Sequence, residues 1–192
     1  IATAWNIDFP SRSGLSVSAQ QAELASLVDK ASAAGLNAIF FQVRPEGDAL
    51  YASAHEPWSH VLTGTQGQNP GYDPLQTLID LAQPKGIEVH AWLNPYRARA
   101  ASSGQVSPHM AVTQPSVVYT YGSTKWMDPG APVVRERLVS VVTDLVQNYD
   151  LDGIHFDDYF YPYPISGTPF PDTATYNTYG GGLSRADWRR KN

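Results

Sequence analysis

The chain has 192 residues, no cysteine, a formal net charge of −5 and a pI near 5.4. That balance excludes the broad basic face that nucleic acid or an anionic membrane surface requires, and the absent cysteines exclude disulfides, thiolate metal sites and a catalytic thiol. No run approaches the roughly 18 apolar residues of a membrane-spanning segment, and the chain opens without a basic-then-apolar leader, which is compatible with a removed export signal.

Taken in order, Ala2 to Asp8 is a short apolar run that predicts a strand. Ser18 followed by Gln21 matches a capping box, and Leu24, Leu27, Val28 and Ala31 recur at helical spacing until Gly35 stops the helix. Asn37 to Arg44 reads as a buried second strand. Asp73, with Pro74 behind it, starts a helix whose apolar face is Leu75, Leu78, Ile79 and Leu81; Pro84 ends or kinks it, and Gly86 lies beyond. Ile87 to Leu93 is a third strand. Val133 to Asn148 is a third amphipathic helix with Leu138, Val141, Val142, Leu145 and Val146 inward, and Asp152 to Phe156 is a fourth strand. A further helix-like stretch begins near Ser184.

Strands alternating with helices imply an α/β fold with a parallel sheet, either a closed barrel or a doubly wound sheet. No glycine-rich phosphate turn follows the first strand, which weakens the dinucleotide-binding form of the latter. The segments after strands two, three and four are long (45–72, 95–132 and 158–184), whereas the helix-to-strand returns are short. Long loops at strand C-terminal ends are the asymmetry of barrel enzymes. The expected fold is therefore a (β/α)8 TIM barrel of which about the first four βα units are present. Residues 1–192 are read as the N-terminal portion of a single barrel catalytic domain, a half-barrel or truncated barrel. Its open edges would invite self-association.

Strand parity sorts the polar residues. Ile39, Phe41 and Val43 face one side, leaving Gln42 and Arg44 on the other; Val89, Ala91 and Leu93 leave His90, Trp92 and Asn94; Ile154 and Phe156 leave His155 and Asp157. Asp157 falls where the fourth strand ends. A carboxylate there, walled by aromatics, suits a nucleophile or transition-state stabiliser in glycosidic cleavage, or else caps a loop or pairs with Arg44 or Arg97. Asp158 has the opposite parity and is read as orienting loop or side chain. Glu46 and Asp48 are the nearest partners for a second carboxyl group. Aromatic side chains clustered among polar ones, Trp92 and Tyr96, then Tyr159 and Tyr161, suit stacking on sugar rings, although boundary-core packing explains each singly. Arg44 and Arg97 are expected to pair with carboxylates or to bind hydroxyls. His90 and His155 lack compact ligand spacing, so hydrogen bonding within the barrel is expected of them, with no metal and no cofactor. The rival readings are a metal-dependent carbohydrate deacetylase using His90, His155 and Asp157, and a non-catalytic glycan-binding module.

Three stretches also carry a resemblance: Phe41-Gln-Val-Arg-Pro-Glu-Gly-Asp-Ala-Leu-Tyr51, Val89-His-Ala-Trp-Leu-Asn-Pro-Tyr-Arg97 and Asp152-Gly-Ile-His-Phe-Asp-Asp-Tyr-Phe-Tyr-Pro162. Together with Gly71-Tyr-Asp-Pro-Leu75 and Ala186-Asp-Trp-Arg-Arg190, they make the chain resemble glycosyl-hydrolase-like family 10, bacterial proteins that include envelope lipoproteins acting on peptidoglycan glycan strands. The resemblance implies a (β/α)8 barrel, export to the periplasm or cell envelope, and hydrolysis of a glycan, peptide-free peptidoglycan strands above all, with later strands lying beyond Asn192. More distantly, Asp152 to Asp157 resembles the fourth-strand motif of the α-amylase superfamily, which ends in the nucleophilic aspartate. That makes Asp157 the first choice among the catalytic candidates Asp157, Asp158 and Glu46. Gln42, Arg44, His90, Trp92, Asn94, Tyr96, Arg97, His155, Tyr159 and Tyr161 are the expected substrate-binding set.

Overall fold

The computed structural model describes residues 1–5, 7–100, 104–157 and 160–192. Three parallel strands, β1 (Ala38–Arg44), β2 (Glu88–Leu93) and β6 (Gly153–Phe156), lie side by side in that order. Ahead of β1 the chain makes an isolated parallel bridge to the sheet, between Ala2 and Phe41, in which the Ala2 amide donates to Phe40 (2.7 Å) and Ala2 accepts from Gln42 (3.0 Å). Spatial order therefore follows chain order from one edge to the other without reversal. This is the winding of a barrel, whereas a doubly wound sheet reverses at a switch point.

The helices are α1 (Val17–Ala33), α2 (His60–Thr63), α3 (Pro74–Ala82), α4 (Met110–Thr113), α5 (Pro132–Asn148), α6 (Thr173–Tyr179) and α7 (Arg185–Lys191). One face of the sheet, carrying Ile39, Phe41, Val43, Val89, Ala91 and Leu93, is buried with Leu24, Val28 and Ala31 of α1, Leu75, Leu78 and Ile79 of α3, and Val141 and Leu145 of α5. The α3 signals read from the sequence hold. The Asp73 side chain accepts from Gln76 N, Pro74 opens the helix, and Pro84 sits in a closing 3-10 turn (Gln83–Lys85) that ends at Gly86 with φ 64°.

Several expectations are corrected. The first strand does not run from Ala2 to Asp8. After Ala2 the amides of Asp8 and Phe9 both donate to the Thr3 carbonyl, and the Asp8 carboxylate accepts from Thr3 N, so local turn bonds replace a ladder. The cap of α1 is Ser16, whose hydroxyl accepts from Ala19 N, two residues before the Ser18 capping box. Val146 is 55% exposed; it follows Leu145 by one residue, about 100° round the helix, and so leaves the core face. Within segment 95–132, read as loop, three short strands form an antiparallel sheet: β3 (Arg97–Ala100), β5 (Thr124–Met127) and β4 (Val118–Tyr121), in that order. Four-residue strands leave too little alternation to be seen in the sequence.

The two sheets meet at Arg44. Its guanidinium is buried, donating to Glu56 Oε1 through Nη2 (2.8 Å) and Nε (3.2 Å) and to the carbonyls of Asn94 (2.8 Å) and Pro95 (3.0 Å) through Nη1, with the Met127 sulfur 3.9 Å away. Removing one partner of such a pair strands the other charge without solvent. Glu56→Ala should therefore lower the unfolding free energy of the full-length protein by about 3–5 kcal/mol, measured by chemical denaturation. A loss under about 1 kcal/mol, the scale of a surface pair, would deny the pair this role.

Candidate active site

The other face of the parallel sheet carries Phe40 and Gln42 from β1, His90 and Trp92 from β2, and His155 from β6, with Asn94 and Asp157 just past the strand ends. Register sets their levels: His90 lies opposite Gly153, and Trp92 opposite His155. In the lower layer the His90 ring stacks on Phe40 at 4.7 Å, and its Nε2 lies 3.0 Å from Glu88 Oε2. A side chain at Gly153 would collide with that ring, since an added Cβ would stand 2.4 Å from His90 Nδ1. Above it, Trp92 and His155 meet edge to face at 6.2 Å, and the buried Trp92 N–H has no hydrogen-bond partner among the described residues.

At the C-terminal ends of the strands, a directed chain of hydrogen bonds crosses the sheet. The Ala4 amide donates to Gln42 Oε1 (2.9 Å), Gln42 Nε2 donates to Asn94 Oδ1 (2.5 Å), and Asn94 Nδ2 donates to Asp157 Oδ2 (2.8 Å). Its direction follows from the first link. A main-chain N–H can only donate, so Gln42 must present oxygen to Ala4 and nitrogen to Asn94, which leaves Asn94 only its own nitrogen for Asp157. Asp157 is thereby addressed as an acceptor. It opens on a cleft of about 390 Å³ lined by Thr3, Trp5, Ile7, Gln42, Trp92, Asn94, Arg97 and Asp157.

The Arg97 guanidinium lies over the Trp5 ring, 5.3 Å from its centre, and these two residues also border a second depression of about 620 Å³ whose walls include Glu46, Tyr121, Trp126 and Tyr163. Glu46 is buried there. Burial, and then the Asp48 charge, push its carboxyl up to about 8, against a smaller opposite pull from Arg99 and Arg97. Burial would likewise raise Asp48, but the His60 imidazole, with Ser59 and Gln66, takes it below its ordinary value. The buried His109 fixes the main chain here, its Nε2 donating to the Glu46 carbonyl (2.9 Å) while Nδ1 accepts from Ala111 N (3.0 Å). Gly47, with φ +70°, lies against His109 and Met127, where an added Cβ would stand under 3 Å from both.

The structure thus brings Gln42, Trp92, Asn94, Arg97 and Asp157 to one cleft, with His155 against Trp92. Other sequence candidates lie elsewhere. Arg44 is enclosed with Glu56 and presents no group to the cleft. His90 is a layer below. Tyr96 is buried in the second core with Phe160 6.3 Å away, and Tyr161 packs on Phe170 beside a separate depression bordered by Arg189. Asp158 and Tyr159 lie outside the described residues. His90, His155 and Asp157 form no metal-binding cluster among the described residues, which removes the geometric basis of the deacetylase reading. Sequence reasoning missed Trp5, Thr3 and Ile7. Their alternation before Asp8 was the available signal, and it was absorbed into a strand that does not form. Trp5 has φ 71°, a conformation uncommon outside glycine that tends to collect at functional sites.

A singly wound parallel sheet whose polar groups converge at the strand C-terminal ends is the arrangement of a TIM-barrel-like α/β fold. More narrowly, the chain belongs to the glycosyl hydrolase-like 10 family, whose profile matches residues 1–192. It is 44% identical over 197 residues to "Glycosyl hydrolase YngK" of Bacillus subtilis (strain 168), and 39% identical over 211 residues to "Glycosyl hydrolase DigH" of Escherichia coli (strain K12). Both alignments cover 100% of this chain but only 39% and 48% of those proteins, so the chain spans less than half the length of these relatives. In fold it is similar to a hypothetical protein from Ruminiclostridium thermocellum ATCC 27405 (TM-score 0.55, 15% identity, 89% of this chain and 86% of that one). It is also similar to α-L-fucosidase isoenzyme 2 from Paenibacillus thiaminolyticus (TM-score 0.53, 15% identity, 88% and 24%).

Gln42→Leu should remove the acceptor for Ala4 N–H and the donor for Asn94 together. Unfolding free energy is expected to fall by about 1–3 kcal/mol, the cost of buried polar groups left unpaired; an unchanged denaturation midpoint would show that the relay carries no load.

Proposed function

We propose that residues 1–192 form the N-terminal portion of the barrel domain of an exported glycoside hydrolase that cleaves bacterial envelope polysaccharide, peptide-free peptidoglycan strands in particular, with Asp157 as the catalytic carboxylate. The observation that carries this reading is the Gln42–Asn94–Asp157 relay, which presents a carboxylate to an open cleft at the end of a parallel strand. Family membership supports glycosidic chemistry; the substrate class and exported location are the expectations that the resemblance in sequence carries. The half-barrel reading draws on the singly wound strand order and on the fraction of its relatives that the chain spans.

The chemistry follows from the geometry. Cleavage of a glycosidic bond builds positive charge at the anomeric carbon, and an anionic oxygen close to it either stabilises that charge or forms the covalent intermediate. Asp157 suits this because Asn94 occupies one of its oxygens and fixes the plane of the carboxylate. Trp92 and Trp5 offer flat apolar surface to a sugar ring. Arg97, over Trp5, adds donors at the edge of the same cleft.

Asp157→Asn keeps the shape and can still accept from Asn94, but loses the charge. In the full-length protein, the release of reducing ends from peptide-free peptidoglycan glycan should fall by about 10³-fold or more, with glycan binding by calorimetry and the circular dichroism spectrum retained. Turnover within a few-fold of the parent would remove Asp157 from the mechanism, and wild-type binding without any new reducing ends would identify a non-catalytic glycan-binding module.

A further inference from the structure

The turn that follows β1 buries Glu46, Asp48 and Glu56 together. Glu56 has Arg44 as its counter-charge. Among the described residues, Glu46 and Asp48 have no arginine or lysine within ion-pair distance; the basic group beside them is His60, whose Nδ1 lies 3.6 Å from Asp48 Oδ2. Two carboxyl groups taken out of water without a matching cation are costly to hold as anions, and a coordinated metal ion is one of the few arrangements that offsets such a cost.

The geometry is specific. One ligand atom from each of Glu46, Asp48 and His60 lies within 4.8 Å of the other two, a spacing that a single ion can bridge. Independently, polar atoms in this group stand without hydrogen bonds. Asp48 is wholly buried, and while Gln66 donates to its Oδ2 (3.3 Å), its Oδ1 has no partner; the buried Nδ1 of His60 has none either. His109 is close by, but both its nitrogens are engaged, so it closes the site and cannot serve as a ligand. The His60 side chain is 26% exposed, and Glu46 borders the larger depression, which gives an ion a way in.

We propose that Glu46, Asp48 and His60 bind one divalent first-row transition-metal ion of the Zn2+ type. Two carboxylates and an imidazole suit such an ion, whereas Ca2+ and Mg2+ favour oxygen ligands throughout. The ion clips the turn after β1 to the start of α2 and holds Glu46 in the wall of the larger depression. It belongs to a different residue set from the Asp157 cleft and does not depend on the glycosidase reading.

The test is calorimetric titration of Zn2+ into the full-length protein after chelator treatment, with Ca2+ as comparator and with melting temperature followed in parallel. Saturable 1:1 binding of Zn2+, absent or far weaker for Ca2+, together with a higher melting temperature, is the expected result. His60→Gln, chosen because its side chain is partly exposed, should weaken Zn2+ binding by more than the roughly 10–100-fold lost with an outer partner of a metal ligand, and Glu46→Gln should do the same. His90→Gln and Asp157→Asn should bind as the parent does. Absence of saturable Zn2+ binding, Zn2+ affinity unaltered in a folded His60→Gln variant, or loss of binding in His90→Gln with His60→Gln intact would each overturn the proposal.

Discussion

Much of this molecule depends on the burial of one arginine. Arg44 ends β1 at the point where the register against β2 shifts, and its guanidinium, 1% exposed, has almost no water to return to. The planar fork resolves this by reaching in several directions. It ties the loop bearing Glu56, the carbonyls of Asn94 and Pro95 after β2, and the end of the central strand of the antiparallel sheet at Met127. A lysine in this place would bring a single point charge and lose the planar reach. The barrel-like sheet and the small antiparallel sheet thus share a charged joint, and loops that might otherwise move independently are held to one strand end.

The site inherits its order from that joint. Arg44 holds the carbonyl of Asn94 while the Asn94 amide donates back to Arg44 O at 2.9 Å, so the main chain at Asn94 is fixed from both sides. Only then is its side chain a dependable intermediary between Gln42 and Asp157. A preorganised acceptor has one practical consequence. Under the proposed function, the Asp157 carboxylate would not have to reorient when substrate arrives, and the cost of positioning it would be met by folding.

The legible part of the fold was the part with long periodicity. Asp73, Pro74 and the spacing of Leu75, Leu78 and Ile79 defined α3, and the alternation Val89, Ala91, Leu93 assigned the opposite residues of β2 to the polar face. Parity also brought Gln42, Asn94 and Asp157 to one side, although they come from three separate segments. It could not say how far along the strand axis each residue sits, which depends on register. His90 pairs with Gly153 and so falls a layer below His155. Nor could it distinguish Arg44 facing a cleft from Arg44 enclosed by a loop, because the enclosing residue, Glu56, lies in a segment without periodicity. Trp5 was hidden for a different reason: its segment alternates like a strand, but its place in the cleft comes from a turn made by Thr3 and Asp8 and from a positive φ that the alternation does not announce.

The Arg97–Trp5 stack lies where two different acidic surroundings come close together at the strand termini. The stack borders both depressions, with Asp157 lining one and Glu46 the other. The surroundings of the two carboxyl groups differ. Asp157 is half-buried and receives a neutral amide donor. Glu46 is sealed beside Asp48, with its own carbonyl held by His109 and Gly47 pressed against Met127. Under the proposed function an acid that meets substrate needs solvent access and a settled orientation, and Asp157 offers both. The turn after β1 is more enclosed, with Gly47 packed closely against a histidine and a thioether.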